Sequence, residues 1–410
     1  MDSKTVMLLL IYLLAARGAM RLLAGARREM AFALINLFGA YAFFAPDGRT
    51  GLAVSGLYLA LIGLQYLGMR LWAERSRWTP WLAFAIPVLA LIVVRYVPLS
   101  AYVALGGPFP GWLAGRPEAF FAGSFVGISY LAFRSSHLVL EVRNGSARKP
   151  SFWQYLGFCF FLPTLPVGPI SPFGVYDRAF RADPPVIPAG RAMLRILTGA
   201  VKYSFLGNLC NQLGYAGLLL DGRVHSGIEL AIAAACYYLY LYLNFSGFCD
   251  MAIGAAGLMG IEVPENFDNP FAARNVKDFW NRWHITLSQY MRDVVFSPLS
   301  KFLTGLFGGA NVNHAVAVAI AAVFLLVGVW HGAGWNYFWF GAMHALGVVV
   351  NHYYAIGLKK WLGRDRFKAY NASRLVRAVA IVLTFSYVAA SLSLFANSIA
   401  DLREIFAAIR

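Results

Sequence analysis

The sequence predicts an all-α, polytopic integral membrane protein, with about 11 transmembrane helices plus re-entrant or interfacial segments, laid out as one membrane-embedded domain over residues 1–410. Three observations lead there. Hydrophobic residues make up 59% of the chain and charged residues 13%, against about 25% charge in soluble proteins. Apolar stretches approaching the ~20 residues that cross a bilayer recur along the chain. Between them Lys and Arg collect in alternate loops, the pattern that sets orientation in a membrane.

The formal net charge of +16 follows from those loops, since cytoplasmic segments of membrane proteins are rich in Lys and Arg. No basic stripe carries a recognition motif, so no nucleic-acid partner is expected. Part of the surplus suits an acidic cytoplasmic partner. The four cysteines, Cys159, Cys210, Cys236 and Cys249, form no CxxC pair and no zinc spacing, and read as small core residues.

Taken in order, residues 6–16 form a first apolar run between Lys4 and Arg17. It resembles a signal peptide faintly but reads as a retained, somewhat short helix. Apolar stretches follow at 30–44, 51–69, 81–99 and 119–133. Three loops are basic: Arg21, Arg27 and Arg28; Arg70, Arg75 and Arg77; and Arg134, Arg143, Arg148 and Lys149. The loops near Asp47 and at 106–118 carry one arginine each, so the N-terminus is placed outside.

Residues 152–173 are apolar but hold Pro163, Pro166, Pro169 and Pro172. Proline removes helical hydrogen bonds, so a plain spanning helix is excluded and a re-entrant segment or an interfacial loop is expected. The loop 176–195, with Pro184 and Pro185, is cytoplasmic by its charge. Spans at 197–220 and 226–243 are joined by an outer turn at Asp221-Gly222. Tyr242 fits an aromatic belt. Polar residues at 244–250, including Asn244, Ser246 and Asp250, then interrupt the apolar run. Asp250 is either paired within the bundle or part of a site, because buried carboxylates are rarely tolerated alone.

Two strongly basic segments, 274–292 and 359–377, both belong in the cytoplasm. Residues 294–309, broken by Pro298 and Lys301, read as partial or interfacial. Spans at 315–330 and 335–350 run out and back, and a last one at 378–394 leaves the C-terminus outside.

The candidate chemistry lies between residues 271 and 335. Ionisable groups at membrane depth are costly and are functional candidates by default. On a continuous helix Trp280, Trp283, His284 and Leu287 would share one face at i, i+3, i+4 and i+7, where a lone histidine is commonly a packing residue. His331 is the sharper candidate. It ends a sixteen-residue apolar run and precedes Gly332-Ala333-Gly334, where small residues let a ligand approach the backbone, and imidazole titrates near neutrality. His284 is entered from the cytoplasmic side and His331 lies toward the outer side, which predicts a shared midplane cavity. His137, His225, His314, His344 and His352 show no comparable setting. GxxxxGK[ST], HExxH and GxSxG are absent, removing support for ATP hydrolysis, zinc proteolysis and serine hydrolysis. Broken apolar segments also mark transporters, which stay open.

At these residues the sequence resembles the membrane-bound O-acyltransferases, in the branch of the alginate O-acetyltransferases and teichoic-acid D-alanyl transfer proteins. The matching pieces are NFSGFCDMAIG from 244, PENFDNPF from 264, DFWNRWHITLS from 278, Arg292-Asp293 and VGVWHGAGWN from 327; FLPTLPVGPISPF is a weaker match. Asn281 and the short chain look nearer the D-alanyl proteins, whereas VVFSPLSKF after Arg292-Asp293 fits neither branch.

The resemblance implies a small acyl group, D-alanyl or acetyl, carried from a cytoplasmic thioester to a hydroxyl of a cell-envelope glycopolymer outside, in a bacterial cytoplasmic (inner) membrane. It makes His331 the general base and His284 the residue that orients the donor carbonyl or assists proton transfer. Trp280, Asn281, Trp283, Ser288, Trp330, Asn244, Ser246 and Asp250 would surround the substrate. Arg274, Lys277, Arg282 and Arg292 would dock an acidic acyl-carrier protein or CoA, although topology signalling explains such charges equally well. It implies no tightly bound cofactor, no metal, and an extracytoplasmic acyl-relay partner beside the membrane lipids. A transporter of a lipid-linked or glycan intermediate, and a non-catalytic scaffold, are the alternatives.

Overall fold

A computed structural model describes residues 3–44, 48–72, 79–96, 127–181 and 188–410. The loop residues Asp47, Arg75 and Arg77, the loop 106–118, Pro184-Pro185 and most of the expected span 119–133 lie outside the described residues. The protein is helical and polytopic. Among the described residues six helices are long and apolar enough to cross a membrane: Lys4–Leu22, Gly51–Leu71, Thr79–Tyr96, Gly227–Leu258, Gly309–His331 and Arg374–Ala396. The chain groups into two compact units, Met1–Leu197 with Cys249–Pro264, and Thr198–Phe248 with Glu265–Arg410.

The first unit opens with α1 (Ser3–Leu22), α2 (Gly25–Phe44), α3 (Gly48–Trp72) and α4 (Thr79–Tyr96), followed by α5 (Ile128–Arg143), α6 (Phe152–Cys159) and α7 (Phe173–Arg181). The first helix is longer than the apolar run 6–16 suggested, because Arg17 inside it donates to the Leu258 carbonyl at 2.6 Å. Between α6 and α7 the proline-rich stretch holds only one 3₁₀ turn, Leu162–Thr164. It is buried in protein, which is where non-helical backbone at membrane depth is tolerated.

Arg134 is the reason it can be. The sequence placed this residue in a basic cytoplasmic loop; the structure places it inside α5 with 1% of its surface exposed. Its Nη1 donates to the Phe158 carbonyl at 2.8 Å, and its Nη2 to the Thr164 carbonyl at 3.1 Å. The guanidinium thus supplies donors to carbonyls of the buried, largely non-helical stretch. Asn36 contributes from α2, its Oδ1 accepting the Leu162 N–H at 2.9 Å.

The expected span 197–220 is not one helix. α8 (Ala189–Val201) runs into a π-helical turn at Lys202–Leu206, then α9 (Gly207–Gln212), and α10 (Tyr215–Leu218) after a break at Gly214. Conversely, the polar residues 244–250 do not interrupt anything. They sit within α11 (Gly227–Leu258), 32 residues long. Asp250 is accommodated by pairing with Arg195 of α8 at 3.0 Å, so its carboxylate has a partner within the first unit.

Further along the second unit come α12 (Val276–Arg282), α13 (Ile285–Met291), a π-turn at Arg292–Phe296 and α14 (Ser297–Phe307). α14 is the short helix expected of a partial segment. Then follow α15 (Val312–His331), α16 (Trp335–Ala372), α17 (Arg374–Ala396) and α18 (Ile399–Ala408). α16 continues far past residue 350, with a non-helical residue at Gly363.

α15 and α16 cross at glycine. A Cβ on Gly341 would lie 2.5 Å from the Phe324 carbonyl oxygen and 3.1 Å from the Gly328 Cα. Backbone cannot yield as a side-chain tip can, so Gly341→Ala is expected to destabilise by about 1–3 kcal/mol. A lowered thermal midpoint in detergent would show it; an unchanged midpoint would mean the two helices separate at no cost.

The C-terminus is clasped by an ionisable pair outside the spans. His225 Nε2 lies 2.8 Å from Asp221 Oδ1, and the His225 backbone pairs with Ala408 and Arg410. The hydrogen bond to Asp221 raises His225 above its ordinary value of 6.5. Its contribution is therefore complete below about 6.5 and fades as pH rises through the raised value. Asp221 is lowered, first by the Arg223 N–H and then by His225, so its contribution fades only in acid. Amide exchange at Arg410, corrected for intrinsic rate, should be slower at pH 6 than at pH 8.5. Equal protection would remove the clasp.

Candidate functional site

The stretch around His284 does not form the continuous helix that its spacing suggested. α12 starts at the cap Asn275, whose side chain accepts the Asp278 N–H at 2.8 Å, and stops at Arg282. Trp283 is extended, and His284 is left-handed with φ 44° and ψ 50°. Trp280 and Leu287 therefore do not share a helical face with His284. A short strand-like segment fills the break. The Asp268 N–H donates to the Arg282 carbonyl at 2.9 Å, and the Ile285 N–H to the Asn266 carbonyl at 3.0 Å. These bonds satisfy backbone groups that ending a helix would otherwise strand. A β-carbon in the left-handed region costs about 1–2 kcal/mol, and such strain gathers at functional sites.

Asn266 also fixes the proton on His284. Its Oδ1 accepts from the Thr286 backbone N–H at 3.2 Å, which identifies that atom as oxygen, and from Thr286 Oγ1 at 2.9 Å. His284 Nδ1 lies 3.2 Å from the same oxygen. Nδ1 must then carry the hydrogen, leaving Nε2 with its lone pair. The ring is buried, with the edge of Phe245 at 4.7 Å.

His331 ends α15, and its ring meets Trp330 at 4.5 Å, Phe395 at 4.9 Å and Phe340 at 5.9 Å. Gly332 is required for room: a Cβ there would collide with the Tyr337 ring. The small residues after His331 thus make space for a neighbouring side chain. A charge on His331 would bear on both His284 and His344, so three histidines gather in this unit.

His344 is the residue the sequence reading passed over. It is 1% exposed, with Nδ1 accepting the Trp280 indole N–H at 3.1 Å and Nε2 lying 3.0 Å from Ser391 Oγ. Phe340 touches both His344, at 4.6 Å, and His331. Asn266 was missed as well, although the quoted motif PENFDNPF contains it. No spacing rule singled out either residue, since their partners come from distant parts of the chain.

The remaining candidates divide into groups. Lys277, Trp280, Asn281, Ser288 and Arg292 line a cavity of about 250 Å³ with Phe324. Arg274, Lys277, Asn281 and Arg282 line a second of about 1130 Å³, walled also by Arg377 and Tyr354. Lys277 and Asn281 belong to both. Arg282 is engaged by Asp278 at 3.0 Å and Asp268 at 3.5 Å, and Arg292 by Asp293 at 3.6 Å. Arg274 and Lys277 are exposed and make no ion pair among the described residues.

Trp283 is packed into an aromatic cluster, stacked on Phe279 at 5.5 Å, and Tyr242 joins it through Phe271 at 4.8 Å. Tyr242 is therefore a packing residue within the unit. Asn244 and Ser246 flank Phe245 on α11, and the buried Ser246 hydroxyl has no hydrogen-bond partner among the described residues.

Known proteins resemble this chain in sequence. A chain named teichoic acid D-alanyltransferase from Streptococcus thermophilus is 34% identical over 295 residues, covering 68% of this chain and 70% of that protein. One of the same name from Bacillus subtilis is 31% identical over 282 residues, covering 67% and 69%. A peptidoglycan O-acetyltransferase from Helicobacter pylori is 37% identical over 137 residues, covering 33% of this chain and 24% of its own length. The sequence model of the family described as MBOAT matches residues 50–393. This chain belongs to the membrane-bound O-acyltransferase family, and is an O-acyltransferase.

Proposed function

We propose that the protein takes a small acyl group from a thioester on the cytoplasmic side and delivers it to a hydroxyl on the extracytoplasmic side, for O-acylation of a cell-envelope polymer. D-alanyl is the first reading, because the D-alanyltransferases match over two thirds of both chains. Acetyl is the second, carried by the shorter match to an O-acetyltransferase.

The observation that carries the reading is the tautomer of His284. Asn266 leaves its Nε2 as an acceptor, in the unit that holds His331. His331 takes the proton from the acceptor hydroxyl, whose oxygen attacks the thioester carbonyl carbon. The carbon–sulfur bond breaks, and the departing thiolate recovers the proton as a thiol. His284 positions the donor. A thioester is already activated, so the protein has mainly to align, deprotonate and exclude water; no bound cofactor or metal enters the scheme.

The thioester arm, on an acyl-carrier protein or CoA, would enter beside Lys277 and Asn281, which border both cavities. Trp280, Ser288 and Arg292 line its inner part. Arg274 and Lys277 offer unpaired charge to an acidic carrier, and Arg282 and Arg292 add to it. Trp283, Trp330, Asn244 and Ser246 shape the surroundings. The proposal places the chain in a bacterial cytoplasmic membrane, its N-terminus outside, with an extracytoplasmic relay protein as partner.

Reconstituted protein offered radiolabelled D-alanyl-carrier, acetyl-carrier and acetyl-CoA should move label from one donor, D-alanyl-carrier, to an acceptor hydroxyl when the relay candidates are supplied. Transbilayer flux of a lipid-linked glycan with no donor consumed would instead make it a transporter.

A further inference from the structure

We propose that His344 is a positioning residue: it holds the Trp280 ring as a fixed wall of the smaller cavity and thereby sets how large an acyl group the cavity accepts. This rests on the reading that the thioester arm enters that cavity.

Two independent contacts dictate one state of the His344 ring. An indole N–H can only donate, so Nδ1, which receives Trp280 Nε1 at 3.1 Å, carries no hydrogen. Ser391 Oγ donates to the Val388 carbonyl at 2.8 Å, which leaves its lone pairs to accept the hydrogen on Nε2 at 3.0 Å. Both ends demand the neutral Nε2–H tautomer. The chain of bonds runs from α17 through α16 to α12, joining the short helix before His284 to two long ones.

Packing removes the ring's remaining freedom. Phe279 and Phe324 lie nearly parallel to it, at 6.0 Å and 19° and at 6.4 Å and 26°. Trp280 meets Phe324 at 5.1 Å. Trp280 and Phe324 both line the smaller cavity, beside Asn281 and Ser288. A buried histidine could have been placed here for packing alone. That would need neither ring nitrogen to be matched, whereas both are.

The two nitrogens can be tested separately. Asn at 344 puts its amide oxygen near the position of Nδ1 and keeps an acceptor for Trp280. Gln reaches the position of Nε2 and keeps a donor for Ser391 only. Each variant would be assayed with the donor the wild type uses and with the same donor lengthened by two methylenes. His344→Asn should keep the wild-type preference for the short acyl group within about twofold, and His344→Gln should relax it by about fivefold or more, since a methylene of pocket space commands at least that much discrimination. Trp280→Phe, which deletes the donated N–H, should match His344→Gln and add nothing to it. Equal behaviour of Asn and Gln, whether both wild-type-like or both relaxed, would overturn the proposal.

A second readout does not depend on turnover. The indole ¹⁵N–H of Trp280, assigned by its loss in Trp280→Phe, should be protected from exchange in wild type and His344→Asn and unprotected in His344→Gln. If that pattern holds in a protein showing no acyl transfer, the proposed function fails while the positioning contact stands; if protection does not follow the pattern, the positioning proposal fails whatever the activity.

Discussion

His331→Ala should lower acyl transfer by about 10²–10⁴-fold, the range that a general base supplies, with the thermal midpoint little changed. The ring stands at the end of α15, half-buried against Trp330, Phe340 and Phe395. Removing it shortens a side chain at a helix terminus and leaves the α15–α16 crossing at Gly328 and Gly341 intact. Single-turnover transfer from preloaded donor isolates the chemical step from relay and release. A fall in that rate with donor affinity preserved places His331 in the proton transfer. Unchanged single-turnover transfer would take the base away from His331 and return attention to His284, whose Nε2 keeps its lone pair.

Much of the fold could be read in advance because hydrophobicity and charge are summed over many residues. The spans at 51–69, 315–330 and 378–394 lie within helices, and the proline-rich stretch 152–173 is not a spanning helix. What failed was local continuity. Residues 244–250 look like an interruption, yet they stay helical: Asp250 finds Arg195 on α8, and a polar residue with a partner does not break a helix. Residues 280–287 look like one amphipathic turn, yet they are split at Trp283 and His284. The segment 266–268 offers competing backbone bonds there, which no spacing rule within 280–287 contains. Arg134 was assigned to a loop for the same reason. A buried arginine is tolerated only where carbonyls converge on it, and those of Phe158 and Thr164 come from 24 and 30 residues along the chain.

Of the candidate site, the two flanked histidines could be picked out from the sequence, and the residues that meet them in space could not. His331 and His284 stand among tryptophans and glycines in motifs distinctive enough to be noticed. His344 sits in an apolar helix with no such flanks, and its importance comes from Trp280 and Ser391 meeting it in space. Histidine has two distinguishable nitrogens, and which one bears hydrogen is decided by the neighbour of the other. A sequence lists the histidines; the neighbours that choose their tautomers are a property of the fold. In this unit His284 is held with hydrogen on Nδ1 and His344 with hydrogen on Nε2, each by a polar partner from a separate segment.

Asn266 should therefore matter nearly as much as the histidines. Its Oδ1 serves three donors, His284 Nδ1 at 3.2 Å, the Thr286 N–H at 3.2 Å and Thr286 Oγ1 at 2.9 Å. Asn266→Leu takes that acceptor away from all three, and a buried donor deprived of its partner costs about 1–3 kcal/mol. The thermal midpoint should fall, and transfer should drop by about 10²-fold as His284 loses the constraint on its tautomer, an effect on the scale of one acid–base contribution. Asn266→Asp separates the two consequences. The carboxylate keeps the shape and accepts the same bonds, so stability should be largely retained. Its charge favours the imidazolium, which carries hydrogen on both nitrogens and leaves Nε2 no lone pair. Transfer by the Asp variant should then be low at neutral pH and recover as the pH is raised, whereas the Leu variant should stay impaired at every pH. A pH profile for Asn266→Asp that runs parallel to the wild type would mean that Nε2 of His284 is not required as an acceptor, and His284 would be left with a packing role beneath Phe245.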